Sequence, residues 1–136
     1  MSASLCVSPV LVQEAMHRGV ITCRADTSAF AVVRRMAAHR IHSVLVVDDD
    51  GVCGGIVCDT ELECALATGN LATLVASEIA VDPVAVDPSQ SLERAIELMH
   101  ERATTHLVVA DAGTQRAIGV LSMLDVAEVL SEGGAR

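Results

Sequence analysis

Two strand-to-helix turns contain the residues of this chain whose types and spacing suit ligand chemistry. The later turn reads GVLSMLD at residues 119–125, and a smaller copy reads GIVCDTE at residues 55–61. In each turn an apolar triplet predicts a buried strand end, and the acidic residue then falls in the first turn of a helix. At 119–125 this places a hydroxyl, backbone N–H groups and a carboxylate at one helix N-terminus, which suits a phosphate beside a ribose diol.

The same spacing also fits an ordinary helix cap. Ser122 precedes Asp125 by three residues. A capping box uses this arrangement to satisfy backbone N–H groups at a helix start, without any ligand. From the turns alone, a structural role and a binding role are both open.

Composition excludes several classes of function. The chain has 136 residues, of which 51% are hydrophobic, and Phe30 is its only aromatic residue, so a bound base cannot stack on aromatic rings. The net charge is −9 and the sequence contains no Lys, which argues against nucleic-acid binding because affinity for phosphate backbones comes from clustered basic residues. No signal peptide or long apolar span is visible, so we expect no membrane association and a cytoplasmic location.

The five cysteines do not suggest a disulfide framework. Their number is odd, so at least one could not be paired within the chain, and all lie in the first half of the sequence: Cys6, Cys23, Cys53, Cys58 and Cys64. Neither a Cys-x-x-Cys nor a His-x-x-x-His spacing occurs. We therefore expect free thiols and no bound metal.

Hydrophobic periodicity predicts an alternation of strands and helices. We expect a short helix over 11–17, a strand over 20–23, a helix from Ala29 to about His39, strands over 43–47 and 52–57, a helix over 59–67 and a helix-rich connector over 71–79. After this connector the same order begins again.

The order repeats because the chain contains an internal duplication. Met36 and Met99 lie 63 residues apart, and the apolar positions around them recur at the same offset. One extra residue in the second hairpin turn, near residues 112–116, raises the offset to 64, which aligns Gly55 with Gly119 and Glu61 with Asp125. Each repeat is therefore predicted to be a β-α-β-β-α unit.

The predicted fold class is α/β, more strictly α+β. A repeat of about 60 residues with a three-stranded sheet cannot cover both faces of that sheet by itself. We therefore expect the two repeats to pack sheet to sheet with pseudo-twofold symmetry. The predicted domains are a flexible N-terminal arm over 1–10, repeat 1 over 11–70, repeat 2 over 71–131 and a C-terminal tail over 132–136.

With these features the chain resembles the tandem cystathionine-β-synthase (CBS) domain pair, the Bateman module. The resemblance covers nearly everything from Val12 to Leu130, and its most specific parts are the run MAAHRIHSVLVVDDDG at 36–51 and the GVLSMLD turn. It implies that Ser122 contacts a phosphate and Asp125 the ribose hydroxyls, with Val120 under the base. The facing pocket would then be supplied by Val20, Ile21, Ile41 and His42.

The resemblance implies a second, pseudo-symmetric site that is weaker. Its polar positions are Cys58 and Glu61, and the residues opposed to them are Val84, Thr104, Thr105 and His106. A thiol is a poor hydrogen-bond donor and Glu reaches farther than Asp, so we expect one competent site and one weak or empty site. His42 and His106, each at the start of a strand, are candidates for phosphate contacts.

The function implied is a stand-alone regulatory, energy-sensing module that binds AMP, ADP, ATP or S-adenosylmethionine in the cleft between the repeats. No enzyme activity is expected, because the sequence shows no set of nucleophile, base and orienting residue, and no cofactor is required. The resemblance also implies a homodimer, and the regulated protein partner is unknown. The alternatives are a cysteine-based redox or metal sensor on the same fold, and a ligand-free protein-interaction module.

Overall fold

Two sheets with flanking helices make up the described part of the chain. The computed structural model describes residues 10–134. In chain order the elements are α1 (Val12–Ala15), β1 (His17–Arg18), β2 (Thr22–Cys23), α2 (Ala29–His39), β3 (Ser43–Val47), β4 (Cys53–Cys58), α3 (Asp59–Thr68), α4 (Ala76–Ile79), β5 (Ala85–Val86), α5 (Leu92–Glu101), β6 (His106–Ala110), β7 (Ala117–Ser122) and α6 (Met123–Gly134). The α+β class and the two β-α-β-β-α repeats are confirmed.

The chain divides into two compact units. The first-repeat unit spans residues 20–83, and the second-repeat unit combines the described residues up to Gly19 with those from Val84 onward. The described chain therefore runs from the second-repeat unit into the first-repeat unit and back again. Residues 1–9, which hold most of the predicted N-terminal arm and Cys6, and residues 135–136 of the predicted tail lie outside the described residues.

The first-repeat unit is built on a three-stranded sheet in the order β2-β3-β4. Strand β3 pairs in parallel with β2 and antiparallel with β4, and the sequence between β2 and β3 forms α2 as the crossover. Helix α2 begins where Ser28 Oγ accepts the Ala31 N–H at 3.1 Å. Its buried face, including Val32 and Met36, packs with strand residues such as Val44 and Val57 to form the core of the unit.

The second-repeat unit has the same plan with one additional strand. Its sheet has the order β1-β7-β6-β5, in which β6 is parallel to β5 and antiparallel to β7. Helix α5 starts at a Ser91 cap on the Arg94 N–H at 3.0 Å, and it buries Leu92 and Met99 against Leu107 and its neighbours. Strand β1, which precedes the first repeat in sequence, pairs antiparallel with β7 and makes the fourth strand.

The predicted elements before each repeat needed correction. The helix expected over 11–17 stops at Ala15 and continues as β1, the strand expected over 20–23 contains only Thr22–Cys23, and the 71–79 connector is helical only over Ala76–Ile79. A three-stranded sheet was expected in both repeats, and the second has four strands. A two-residue strand carries no periodic signal, so its pairing could not be predicted from local sequence.

The predicted repeats, 11–70 and 71–131, each start with a short helix that precedes the β-α-β-β-α unit, and each of these helices packs in the unit of the other repeat. Helix α1 precedes the first repeat but contacts α5 and α6, whereas α4 precedes the second repeat and contacts α2, α3 and β4. Both start with the same cap, since the Leu11 N–H donates to Glu14 at 2.7 Å and the Val75 N–H donates to Glu78 at 2.9 Å. The 64-residue offset therefore extends to these segments and relates His17 to Val81.

Candidate ligand site

Ser122 and Asp125 form a reciprocal capping box at the start of α6. The Ser122 N–H donates to Asp125 Oδ2 at 2.8 Å, and the Asp125 N–H donates to Ser122 Oγ at 3.2 Å. Strand β7 runs into α6 without a loop, so Ser122 ends the strand and caps the helix. The pair therefore caps the N-terminus of α6, as the structural interpretation of its spacing predicts. Because Ser122 Oγ is the acceptor in this bond, its own O–H remains a donor for a ligand.

The Asp125 carboxylate also contacts a histidine from the N-terminal segment. His17 Nδ1 lies 2.7 Å from Asp125 Oδ1, and the Asp125 side chain is only 2% exposed while that of His17 is 74% exposed. Strand β1 places His17 opposite Val120 on β7, two residues before the Ser122 cap. Both carboxylate oxygens therefore have a protein partner.

Glycine at position 119 allows β1 to approach β7. A Cβ at this position would lie 2.5 Å from the His17 carbonyl oxygen and 2.9 Å from Met16 Sδ. No L side chain fits that space without moving the β1 backbone. The first residue of the GVLSMLD turn is thus a glycine because the strand carrying His17 passes directly over it.

The turn at 55–61 repeats this backbone arrangement with different side chains. The Cys58 N–H donates to Glu61 Oε1 at 2.7 Å, as Ser122 does to Asp125. Val81, the counterpart of His17, bridges Ile56 in antiparallel fashion. The first-repeat turn therefore has a helix cap, but a thiol replaces the hydroxyl and an apolar side chain replaces the imidazole.

The thiols near this turn are held in their neutral form. Burial, reinforced by the negative charges of Glu61 and Asp59, raises the pKa of Cys58 to about 12. Burial also raises the pKa of Cys53 and of Cys23, and in Cys23 the nearby Arg35 opposes this effect. Thiolates are the reactive form of cysteine, so these three environments disfavour redox chemistry.

His42 and His106 do not occupy equivalent positions. His106 is the first residue of β6 and pairs with Ser122, whereas the residue paired with Cys58 is Ser43 and His42 precedes the strand. The two histidines are therefore offset by one residue relative to the strands that follow or contain them. His42 Nδ1 lies 2.9 Å from Asp59 Oδ2, and both of these side chains are largely exposed.

The remaining candidates of the first site lie together near the start of β2 and β3. Ile21 accepts the Leu45 N–H through its carbonyl at 3.0 Å, and Ile41 donates its N–H to the Met36 carbonyl at 3.1 Å. Val20 and His42 adjoin them in sequence, and all four belong to the first-repeat unit, whereas Val120, Ser122 and Asp125 belong to the second.

The candidates opposed to the second site cluster in the second-repeat unit. Val84 accepts the Val108 N–H through its carbonyl at 2.9 Å, and Thr105 accepts the Met123 N–H in the same way at 2.9 Å. Thr104 Oγ1 donates to the His106 carbonyl at 3.1 Å, and Thr105 Oγ1 lies 3.0 Å from His106 Nδ1. Their hydroxyls are therefore already engaged around the start of β6.

His17 is the residue that sequence reasoning missed. Its partner Asp125 is 108 positions away, and a lone histidine after a short helix carries no motif. The available signal was the 64-residue offset, which continues backward through Glu14 and Glu78 and matches His17 with Val81.

Within residues 10–134, no group of three or more His, Cys, Asp or Glu side chains is arranged to hold a metal ion. No helix in that range is long and apolar enough to cross a membrane. Both findings concern the described residues alone.

The family model for the CBS domain matches the chain twice, over residues 12–67 and 76–132. The chain therefore belongs to the CBS-domain family and carries two copies of the domain, as the resemblance implied. A CBS domain-containing protein of Dictyostelium discoideum is 29% identical over 133 residues, covering 89% of this chain and 91% of the relative. A CBS domain-containing protein of Arabidopsis thaliana is 28% identical over 119 residues, covering 85% of this chain but only 21% of the relative.

Solved structures show the same fold. The CBS domain pair of protein MJ0100, in complex with 5′-methylthioadenosine and S-adenosyl-L-methionine, superposes with a TM-score of 0.84 at 19% identity, covering 95% of this chain and 100% of that one. The CBS domain protein PAE2072 from Pyrobaculum aerophilum, complexed with AMP, gives a TM-score of 0.81 at 21% identity, covering 93% and 100%. At these identities the likeness establishes the fold.

Proposed function

We propose that the chain is a regulatory module that binds an adenosine-containing ligand, namely AMP, ADP, ATP or S-adenosylmethionine, without catalysing a reaction. The observation that carries this proposal is the Ser122–Asp125 pair at the start of α6, within a CBS repeat whose structural neighbours bind adenosine compounds. This pair offers a hydroxyl donor and a carboxylate acceptor three residues apart.

The chemistry of the pair suits a nucleotide or nucleoside. The Ser122 hydroxyl can donate to a phosphate oxygen, and the positive end of the α6 dipole favours an anion there. The Asp125 carboxylate accepts hydrogen bonds, and the hydroxyls of a ribose are donors. We propose that Val120 lies under the base.

We further propose ligand contacts from residues of the first repeat. Val20, Ile21 and Ile41 offer aliphatic contacts to a base, which the chain needs because Phe30 is its only Phe, Tyr or Trp residue. His42 would contact phosphate when protonated, which first requires release from Asp59. The adenine edge would then be read by backbone groups.

The second site, at Cys58 and Glu61, is proposed to bind weakly or not at all. A neutral thiol is a poor donor to phosphate, and the raised pKa of Cys58 keeps that thiol protonated. Two carboxylates at the start of α3, Asp59 and Glu61, would also repel an anionic ligand. Val84, Thr104, Thr105 and His106 would oppose this turn.

We further propose a homodimer and a cytoplasmic location. Large apolar side chains are exposed on three helices, including Phe30 on α2, Leu66 on α3 and Leu124 on α6, and association would cover them. The four described cysteines are free, which is typical of a reducing compartment. Light scattering that finds a monomer at tens of micromolar protein would remove the dimer.

Calorimetric titration of the purified protein with AMP, ADP, ATP and S-adenosylmethionine tests the function, with GMP and GTP as base controls. Asp125→Ala is expected to weaken binding about ten- to a hundredfold, because a hydrogen bond to a charged group contributes roughly 1.5–3 kcal/mol. Glu61→Ala is the matched control and should change affinity little. If no adenosine compound binds at millimolar concentration, or Asp125→Ala binds as tightly as the unaltered protein, the module is a protein-interaction domain instead.

A further inference from the structure

The contact between His17 and Asp125 bears directly on ligand access, because it uses an oxygen of the proposed ribose acceptor. We propose that His17 acts as an internal competitor, which occupies Asp125 Oδ1 in the ligand-free protein and must be displaced by a ribose hydroxyl. This inference rests on the proposed function of the Ser122–Asp125 turn. It adds a regulatory residue outside that turn.

The geometry shows which carboxylate oxygen is contested. Asp125 Oδ2 accepts the Ser122 N–H at 2.8 Å and holds the first turn of α6 in place. Oδ1 contacts only the imidazole among the hydrogen bonds and ion pairs found in the described residues, at 2.7 Å. A ribose hydroxyl can therefore take Oδ1 while the helix cap stays intact, provided that the imidazole leaves.

His17 is built so that it can leave. Its side chain is 74% exposed although the carboxylate that it contacts is almost fully buried. Its backbone is fixed separately, by pairing with Val120 and by the Gly19 N–H, which donates to the Ile118 carbonyl at 3.2 Å. Rotation about the side-chain bonds would move the imidazole into solvent without disturbing strand β1.

The first-repeat turn shows that the fold does not require this contact. Val81 takes the position of His17 there, and the Cys58–Glu61 cap forms without an imidazole beside it. A valine cannot donate a hydrogen bond to the carboxylate. Of the two turns, only the one with Ser122 and Asp125 has a histidine beside its carboxylate, and this is the turn that is proposed to bind the ligand.

Competition lowers the apparent affinity by a definite factor. If the imidazole leaves Oδ1 free in a fraction of molecules, the measured dissociation constant is the intrinsic one divided by that fraction. A free fraction of about one tenth corresponds to a contact worth about 1.4 kcal/mol, which is close to the lower end of the range for a hydrogen bond to a charged group. Removing the imidazole should therefore tighten binding about tenfold.

The test compares His17→Val with the unaltered protein by calorimetric titration with AMP, ATP and S-adenosylmethionine. Valine is the residue at the equivalent position 81, so strand pairing should tolerate it. Arg18→Val is the matched control, because its side chain projects from the opposite face of the same strand. We expect about tenfold tighter binding in His17→Val and unchanged binding in Arg18→Val.

A spectroscopic readout separates competition from a change in stability. In the unaltered protein, the ring resonances of His17 should shift on saturation with AMP, as the imidazole moves from the carboxylate to water. Binding of AMP by both proteins with equal affinity, with no movement of the His17 resonances, would overturn the competitor and leave the proposed function standing. If neither protein binds any of the three compounds, both proposals fail. Binding by His17→Val alone would be the strongest support.

Discussion

The turns at 55–61 and 119–125 have one backbone design and two kinds of chemistry. In both, the N–H of the last strand residue donates to a carboxylate three residues later, at 2.7 Å in the first repeat and 2.8 Å in the second. In both, a neighbouring segment of the chain passes over a glycine of the turn. Residues 80–81 pass over Gly55, and residues 16–17 pass over Gly119. The turns differ in the residues that a ligand would meet, which are Cys58, Glu61 and Val81 in one and Ser122, Asp125 and His17 in the other.

This difference separates what the fold needs from what binding needs. The carboxylate cap occurs in both turns, so capping alone explains an acidic residue at Glu61 and at Asp125. The hydroxyl of Ser122 and the imidazole of His17 occur in one turn only, and the fold forms without them in the other. These two residues are therefore the ones whose presence calls for a functional explanation.

The largest expected effect concerns the reactivity of Cys58. Its pKa of about 12, against an ordinary value of 9.0, leaves roughly a thousandfold less thiolate at pH 8 than in the unfolded chain. Burial and the two nearby carboxylates disfavour the thiolate, so the native protein reacts more slowly than the unfolded chain. We expect alkylation of Cys58 in the native protein to be about a thousandfold slower than in urea at the same pH.

The control for this prediction is Cys64, which is exposed on α3. Iodoacetamide labelling followed by peptide mass spectrometry reports both cysteines in one sample. Labelling of native Cys58 as fast as that of Cys64 would contradict the account of this turn and revive the redox-sensor alternative. With a raised pKa, the native rate should keep increasing with pH above about 10, where the unfolded thiol is already mostly ionised.

The sequence predicted the repeats better than it predicted the environment of the candidate site. Helix α2 and strand β3 were expected at the positions where they lie, because an 11-residue amphipathic helix and a five-residue apolar strand carry strong periodic signals. The exchange of the segments before each repeat was missed, since β1 has two residues and its pairing with β7 is long-range. The partner of Asp125 depends on that pairing, so His17 could not be found from local pattern.

The glycines of the two turns should differ in their tolerance of a side chain. Gly119→Ala places a methyl group 2.5 Å from a backbone oxygen of His17, whereas Gly55→Ala places one 3.0 Å from the Ala80 Cβ. We expect Gly119→Ala to lower the free energy of unfolding by about 1–3 kcal/mol, because relief requires a shift of strand β1. The Gly55→Ala change should cost less than about 1 kcal/mol.

Urea denaturation of both variants measures this difference. If Gly119→Ala lowers the free energy of unfolding no more than Gly55→Ala does, then β1 does not lie as close to Gly119 on β7 as the structure shows. The slope of the free energy against urea concentration serves as the check that both variants still unfold in a two-state transition.

The smallest expected effect distinguishes the two histidine–carboxylate pairs. His42 and Asp59 contact each other at 2.9 Å, but their side chains are 71% and 68% exposed, so water and salt screen the attraction. A double-mutant cycle of His42→Ala and Asp59→Ala should give a coupling of only about 0.2–0.5 kcal/mol.

The corresponding double-mutant cycle of His17→Val and Asp125→Ala should give a larger coupling free energy, about 1–2 kcal/mol. The Asp125 carboxylate is only 2% exposed, so solvent screens its contact poorly. Raising sodium chloride to 1 M should remove most of the first coupling and little of the second, since the Debye length falls to about 3 Å. Equal couplings, or an equal response to salt, would show that burial does not distinguish the pairs. In that case His17 would bind Asp125 no more firmly than a surface histidine binds its neighbour, and a ribose hydroxyl would displace it almost freely.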